Sequence, residues 1–260
     1  MSRLPVLFVG HGSPMQALEP NRHTAAWAEL ARTLPRPRAV LAVSAHWYTR
    51  GTGVTTDARP QTIHDFHGFP AELYRCRYPA PGDPPLAARV QALLAPDVVH
   101  GVAGDWGLDH GSWQVLMFMY PEADVPVVQL SLDATRPAAA HYEFGRRLAP
   151  LRDEGVLILG SGNVVHNLRA MQRGPGAPEP APAREFEAYV HAALLGGDHQ
   201  ALVHFERGGS AARWSVPTPD HYLPLLYVLG AAGADARVSI PTEGIELGAV
   251  SMLCALCAAS

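Results

Sequence analysis

The sequence predicts a single α/β domain with a largely parallel central sheet and helices on both faces. Short apolar runs rich in Val and Leu alternate along the chain with stretches whose apolar residues recur at helical spacing, a pattern typical of strand–helix–strand units. The 260 residues suffice for one sizeable core. Because motifs on both sides of the stiff, proline-rich loop 174–182 point to one site, we expect one domain over residues 1–260.

Six short apolar segments are predicted to be strands. They are rich in Val and Leu and do not alternate strictly between apolar and polar residues, which favours strands buried on both faces. The six segments are residues 4–9, 39–44, 125–130, 156–159, 236–240 and 245–253.

Six further segments are predicted to be helices, and in the first two the apolar residues fall on one helical face. In the first of them, Trp27, Leu30, Ala31 and Leu34 share that face. The six segments are residues 24–34, 84–94, 112–119, 138–148, 184–195 and 221–229.

The composition argues against several classes of partner and location. A formal net charge of -4 predicts no attraction to nucleic acid or to an anionic membrane. No apolar run reaches about 18 residues, so no membrane-spanning helix is expected. With three cysteines, a disulfide framework is not expected and the cytoplasm fits best. Cys254 and Cys257 are predicted to be buried structural thiols, since no second pair completes a zinc site.

Histidines follow three of the predicted strands. His11 comes directly after the first strand, His46 ends the second, and His166 lies just beyond residues 156–159. In open α/β sheets, ligands bind outside the carboxyl ends of the strands. These three side chains are therefore expected to meet at one edge of the sheet.

Two more histidines stand at predicted helix starts. His221 follows the proline-fixed turn 217–219, and His110 precedes the helix predicted at residues 112–119. A helix start gives a side chain a defined and accessible position. Neutral imidazole is a common ligand of divalent metals, and we interpret His11, His46 and His221 as ligands of one shared metal.

The remaining histidines receive simpler interpretations. His64 and His67 lie in a loop that either walls the pocket, with Phe66 and Phe69, or forms a packed turn. The other six are predicted to be solvated, because they fall in or beside helical or surface segments. These six are His23, His100, His141, His191, His199 and His204.

Taken together, these motifs resemble the class III extradiol ring-cleaving dioxygenases. The resemblance is to the DOPA 4,5-dioxygenase-like branch, which is related to protocatechuate 4,5-dioxygenase catalytic subunits, and it spans almost the whole chain in the expected order. The matching segments are residues 10–14 (GHGSP), 44–47 (SAHW), 65–66 (DF) with 68–70 (GFP), 109–113 (DHGSW), 160–168 (GSGNVVHNL) and 217–224 (PTPDHYLP).

The resemblance implies one metal in a single α/β domain. It places ligands at His11, His46 and His221, and makes His166 either a fourth ligand or an acid/base. It makes His110 a pocket residue that contacts substrate or oxygen. The metal is Fe(II) for dioxygenase activity or Zn(II) as in similar proteins, and the substrates are a small aromatic diol and dioxygen.

In the resulting hypothesis, His166 or His110 removes a phenolic proton, and Trp47, Phe66 and Trp113 either pack against the ring or belong to the core. Two alternatives stay open from the sequence. One is a zinc-dependent hydrolase with His166 as general base, and the other is a non-catalytic zinc-binding protein on the same fold. The sequence indicates no oligomeric state.

Overall fold

The computed structural model of the chain describes residues 3–172 and 177–258. Their strands are β1 (Val6–Gly10), β2 (Ala39–Thr49), β3 (Thr52–Thr55), β4 (Val99–Val102), β5 (Val127–Asp133), β6 (Val156–Gly162), β7 (Arg237–Thr242), β8 (Ile245–Glu246), β9 (Val250–Ser251) and β10 (Cys254–Ala258). Their α-helices are α1 (Arg22–Thr33), α2 (Pro84–Leu94), α3 (His110–Met119), α4 (Ala138–Leu148), α5 (Ala181–Leu195), α6 (His199–Val203), α7 (Gly209–Ser215) and α8 (Leu223–Ala232).

One eight-stranded sheet forms the centre of the molecule, in the order β4-β3-β5-β2-β6-β1-β10-β7. Its middle, β5-β2-β6-β1, is entirely parallel, whereas β10 and β7 add antiparallel strands beside β1. The parallel centre brings the carboxyl ends of β1, β2 and β6 to the same edge. The predicted α/β fold class is confirmed.

Both faces of the sheet are covered by helices. On β1, Val6 and Phe8 face a core shared with α2, α4, α5 and α8, whereas Leu7 and Val9 face a second core shared with α1 and α3. This alternation follows from the two-residue period of a strand. Side-chain caps begin several helices, with Asn21 capping α1 and Asp109 capping α3.

The apolar helix α8 positions the loop that carries His221. Almost all of its residues are buried, as expected for a helix that is hydrophobic all round. It packs on β6, and the backbone N of Asn163, just after that strand, donates to the His221 carbonyl oxygen at 2.8 Å. A Cβ at Gly162 would overlap that same oxygen, so the close approach needs glycine there. The helix begins at Leu223, two residues later than predicted.

The C-terminal strand prediction is partly wrong. Of the predicted strand 236–240, residues 237–240 lie in β7, but 245–253 do not form one continuous strand. Leu247 and Gly248 have φ values of 52° and 68°, and this left-handed turn folds the segment into the β8–β9 hairpin. The strand that joins the sheet is β10 instead. Strands β3 and β4 were not predicted.

The two cysteines of β10 are buried and free, as predicted. Cys254 belongs to one core and Cys257 to the other, so the two thiols face opposite sides of the sheet and cannot share a zinc ion. Among the described residues, no helix combines the length and apolarity that crossing a membrane requires.

Three of the six histidines predicted to be solvated are buried instead. His23, His141 and His199 lie inside the fold, each at a helix face that packs inward. The prediction failed because a neutral imidazole with a hydrogen-bond partner is tolerated in a core. Of the predicted loop 174–182, residues 174–176 lie outside the described residues, and residues 181–182 begin α5.

Candidate metal centre

A cavity of about 560 Å³ opens at the carboxyl edge of the parallel strands. This volume falls within the roughly 300–1,000 Å³ typical of small-molecule sites. The histidines singled out from the sequence as site residues all line it. These are His11, His46, His110, His166 and His221.

The hydrogen bonds around His11 determine which of its nitrogens carries the proton. Its Nδ1 lies 2.9 Å from Ser161 Oγ, and the Ser161 hydroxyl donates its only proton to the Gly111 carbonyl oxygen at 2.6 Å. Ser161 must therefore accept a hydrogen bond from Nδ1–H of His11. This leaves an unprotonated Nε2 with its lone pair directed into the cavity.

His46 is held in the same tautomer by a different partner. Its Nδ1 lies 3.1 Å from Asp65 Oδ2, and a carboxylate accepts hydrogen bonds without donating them. Its Nε2 then lies only 3.0 Å from the Nε2 of His11. Two lone pairs at this distance repel each other unless a cation lies between them, so this pair fits a shared metal ion.

The third imidazole repeats the pattern. Asp220 Oδ2 accepts a short hydrogen bond from Nδ1 of His221, and Nε2 of His221 is buried without any hydrogen-bond partner. The ring centroid of His221 is 5.5 Å from that of His11 and 5.0 Å from that of His46. Each of the three rings thus has an outer partner at Nδ1 and an unprotonated Nε2, the arrangement found for metal-binding histidines.

The electrostatics of the site favour neutral imidazoles. Burial lowers the pKa of both His11 and His46 well below the usual value, and the neighbouring histidines lower it further. Burial alone would raise the pKa of Asp220, but its hydrogen bond from His221 brings that pKa down to about 2. Neutral rings beside an ionised carboxylate suit the binding of a divalent cation.

The potential ligand atoms fall into two groups of three. Those of His11, His46 and His110 lie within 4.8 Å of one another, as do those of His166, Asp220 and His221. The ring of His166 stacks on that of His221, with centroids 3.4 Å apart and planes 8° from parallel. The in-plane lone pairs of two parallel rings point along parallel lines and do not converge on one ion. This geometry therefore favours an acid/base role for His166 over a role as a fourth metal ligand.

His110 is anchored at the first turn of α3. Its Nδ1 lies 3.0 Å from Asp65 Oδ2, and its backbone N donates to Asp65 Oδ1 at 2.9 Å. Because the carboxylate accepts the Nδ1 proton, the Nε2 of His110 is an acceptor. The ring lies beside that of His46, with centroids 3.9 Å apart.

Aromatic residues wall one side of the cavity. Phe66 and Phe69 line it and contact each other edge to face, with centroids 5.2 Å apart. Of the residues expected to be either wall or core, Phe66 lines the cavity and also belongs to the buried core. Trp113 is buried in the core and donates its indole N–H to the Ile63 carbonyl oxygen at 3.0 Å. Trp47 stacks on Trp106 outside the cavity.

Sequence reasoning gave no role to Ser161, Asp65 or Asp220, although each fixes a histidine tautomer. All three lie inside quoted motifs, and Asp220 directly precedes His221. The adjacent carboxylate was the available signal for Asp220. Ser161 and Asp65 are far in sequence from His11 and His46, so only the folded topology reveals them.

Comparison with known proteins identifies the family of the whole chain. Residues 5–253 match the family model described as the catalytic LigB subunit of aromatic ring-opening dioxygenase. The chain belongs to this family. It is accordingly an aromatic ring-opening dioxygenase of the extradiol class, and the resemblance stated from the motifs is confirmed. Dioxygenases of this family use a catalytic metal, and the histidine-rich cavity provides ligands for one.

Individual relatives cover nearly the whole chain. A protein of Escherichia coli (strain K12) named 4,5-DOPA dioxygenase extradiol is 54% identical over 258 residues, covering 97% of this chain and 94% of that protein. A protein of the same name from Beta vulgaris is 40% identical, covering 94% and 92% respectively. The crystal structure of an uncharacterized E. coli K12 protein superposes with a TM-score of 0.86 at 49% identity, covering 98% of this chain and 99% of that one.

Proposed function

We propose that this enzyme opens the ring of a catechol beside its diol, with dioxygen, at one divalent metal held by Nε2 of His11, His46 and His221. The observation that carries the proposal is the set of three tautomers. In each ring a partner takes the Nδ1 proton, and the Nε2 atoms of His11 and His46 lie 3.0 Å apart. A divalent cation between these lone pairs replaces their repulsion by coordination.

The metal that fits the proposed reaction is Fe(II). When bound, Fe(II) supplies the redox chemistry of oxygen activation, which Zn(II) cannot supply because it has a single accessible oxidation state. Three neutral histidines also suit zinc, so we expect the metal content to depend on which ion is available. The third position is a histidine here, in contrast to the two histidines and one carboxylate of many non-haem iron oxygenases.

We assign proton transfer to two residues of the cavity. Nε2 of His110 is an acceptor whose orientation is held through Asp65, the same relation that a carboxylate has to the histidine base of a hydrolytic triad. It is suited to take a proton from a catechol hydroxyl. His166 is neutral as well, because burial and His221 lower its pKa to about 3, and it can accept a proton at the other end of the site.

The apolar residues of the cavity orient the ring and keep water away. Phe66 and Phe69 face the histidines from one side, and Met15, Leu168 and Val250 line other parts of the wall. A catechol ring stacked or packed edge-on against these phenyl groups gains both apolar burial and aromatic contact. Two relatives are named for DOPA, and we propose DOPA or a simpler catechol as the substrate.

Anaerobic reconstitution tests the proposal. Metal-free protein is loaded with Fe(II), or with Zn(II) as the control, and mixed with DOPA and a series of simpler catechols before air is admitted. We expect oxygen uptake and a yellow ring-opened semialdehyde with the Fe(II) protein, and neither with the Zn(II) protein. Full occupancy by Fe(II) without ring opening of any catechol would contradict the proposal.

A further inference from the structure

The carboxylate of Asp65 occupies an unusual position between two histidines of the site. It lies in the loop between β3 and the 3-10 helix Leu73–Arg75, and only 14% of its side chain is exposed. Its Oδ2 lies 3.1 Å from Nδ1 of His46 and 3.0 Å from Nδ1 of His110. One oxygen atom therefore contacts both imidazoles.

The second oxygen fixes the orientation of the carboxylate. Oδ1 accepts a hydrogen bond of 2.9 Å from the backbone N of His110, at the first turn of α3. The N-terminus of a helix favours negative charge, which supports the ionised form at this point. All three contacts of Asp65 are thus donors, and only a carboxylate offers an acceptor oxygen to all of them at once.

We infer that Asp65 is a positioning residue that sets the tautomers of His46 and His110 together, through one shared oxygen. The inference rests on the proposed function, because that function requires Nε2 of His46 to bind the metal and Nε2 of His110 to accept a proton. With both Nδ1 protons directed at Asp65, Nε2 of His46 is free for the metal and Nε2 of His110 is free for a substrate proton. The ligand and the base are therefore prepared by the same side chain.

The substitution Asp65→Asn tests this point because neither orientation of an amide keeps both the hydrogen bonds and the tautomers that the carboxylate supports. With its oxygen towards the two imidazoles, its NH₂ group meets the backbone N–H of His110, and two donors oppose each other. With its NH₂ group towards the imidazoles, both rings must accept at Nδ1 and carry their proton at Nε2. In that tautomer His46 cannot bind a metal and His110 cannot accept a proton.

The measurement is long-range proton–nitrogen NMR of the histidine rings in protein saturated with Zn(II), assigned with the variants His46→Gln and His110→Gln. We expect Nδ1–H for His46 and His110 in the unsubstituted protein and Nε2–H for at least one of them in Asp65→Asn. The dissociation constant for Zn(II), measured by competition with a chelator, should rise about 10- to 100-fold. The matched control is Asp57→Asn, which removes the same charge from a carboxylate that accepts from Gly104 N outside the cavity.

A second variant, Asp65→Glu, keeps the test decisive if Asp65→Asn does not fold. A glutamate still accepts, so the Nδ1–H tautomers should persist while the longer side chain displaces the rings and lowers kcat more than it changes KM. Unchanged tautomers and Zn(II) affinity in Asp65→Asn would overturn the inference, as would a Nε2–H tautomer in Asp65→Glu. Failure of the proposed function is distinguishable, since it would show as absent ring opening in the unsubstituted Fe(II) protein.

Discussion

Two groups of buried histidines can be compared within this fold. One group lies at the carboxyl edge of the sheet and consists of His11, His46 and His221. The other group consists of His141 on α4 and His199 on α6. Burial lowers the pKa of His141 to about 4 and lowers that of His199 as well, so neutral rings occur in both groups. Neutrality alone therefore does not distinguish a ligand.

The difference lies in the partners and in the direction of the rings. His141 and His199 each place Nδ1 against a tyrosine hydroxyl, at 3.2 Å from Tyr227 and 2.9 Å from Tyr142. Nε2 of His141 also lacks a hydrogen-bond partner, but among the described residues it belongs to no cluster of three or more potential ligand atoms. Within the described ranges, the clusters of three or more potential ligand atoms lie at the cavity. Convergence of unprotonated nitrogens, rather than burial, marks the metal site.

The strongest test of this comparison is to remove one histidine from each group. His46→Ala or His221→Ala should abolish stoichiometric metal binding, a larger loss than the roughly 100-fold that a changed outer partner costs. His141→Gln is the matched control and should keep both metal and ring opening. Metal analysis after gel filtration, together with oxygen uptake, measures both. Equal metal loss in all three variants would remove the distinction.

Substitution of His110 separates proton transfer from metal binding. We expect His110→Gln to lower kcat by about 10²- to 10⁴-fold, because general acid–base catalysis contributes on that order, with the metal content unchanged. Steady-state kinetics and metal analysis of the same preparation give both values. Loss of the metal would instead make His110 a ligand, in the group that it forms with His11 and His46.

The outer partner of His221 should matter less than the ligand itself. Asp220→Asn removes the ionised acceptor that holds Nδ1–H of His221, and we expect metal affinity to fall about 10- to 100-fold. A competitive chelator titration measures the change. Asp198→Asn, at the cap of the remote helix α6, serves as the control and should leave affinity unchanged. An unaltered affinity in Asp220→Asn would contradict the role given to Asp220.

The last prediction concerns the stability of the fold and the buried histidines outside the site. The folded-state pKa of His141 is about 4, below the ordinary value of 6.5, so the unfolded chain binds more protons between these values. The free energy of unfolding should therefore fall as pH drops from 6.5 towards 4, with His141 contributing about 1.4 kcal/mol per pH unit. Urea unfolding of the metal-free protein at several pH values should show a shallower decline for His141→Gln. An identical decline would mean that His141 is protonated in the fold.

The sequence predicted the edge of the sheet better than the contacts made there. Apolar runs located β1, β2 and β6, and parallel strands deliver their carboxyl ends to one edge, so His11 and His46 could be placed together. The Ser161 contact with His11 joins residues 150 positions apart. Such contacts depend on strand order and side-chain direction, which a local pattern does not contain.

Local departures from the usual residue patterns explain the errors in the strand predictions. The segment 245–253 is apolar enough for one strand, but the left-handed pair Leu247 and Gly248 turns it back. A leucine in the sequence does not indicate a left-handed conformation, because bulky residues rarely adopt it. Strand β3, with the sequence TGVT, has a single large apolar residue, Val54, and therefore lacked the pattern on which strand prediction depends.

The central claim is that one metal ion binds Nε2 of His11, His46 and His221. Crystals grown anaerobically with Fe(II), with anomalous data collected on both sides of the iron absorption edge, test it most directly. We predict one anomalous peak about 2 Å from each of the three Nε2 atoms. His166 and His110 should lie farther away. A peak bound by His110 in place of His221, or no peak among these residues in fully loaded protein, would contradict the account.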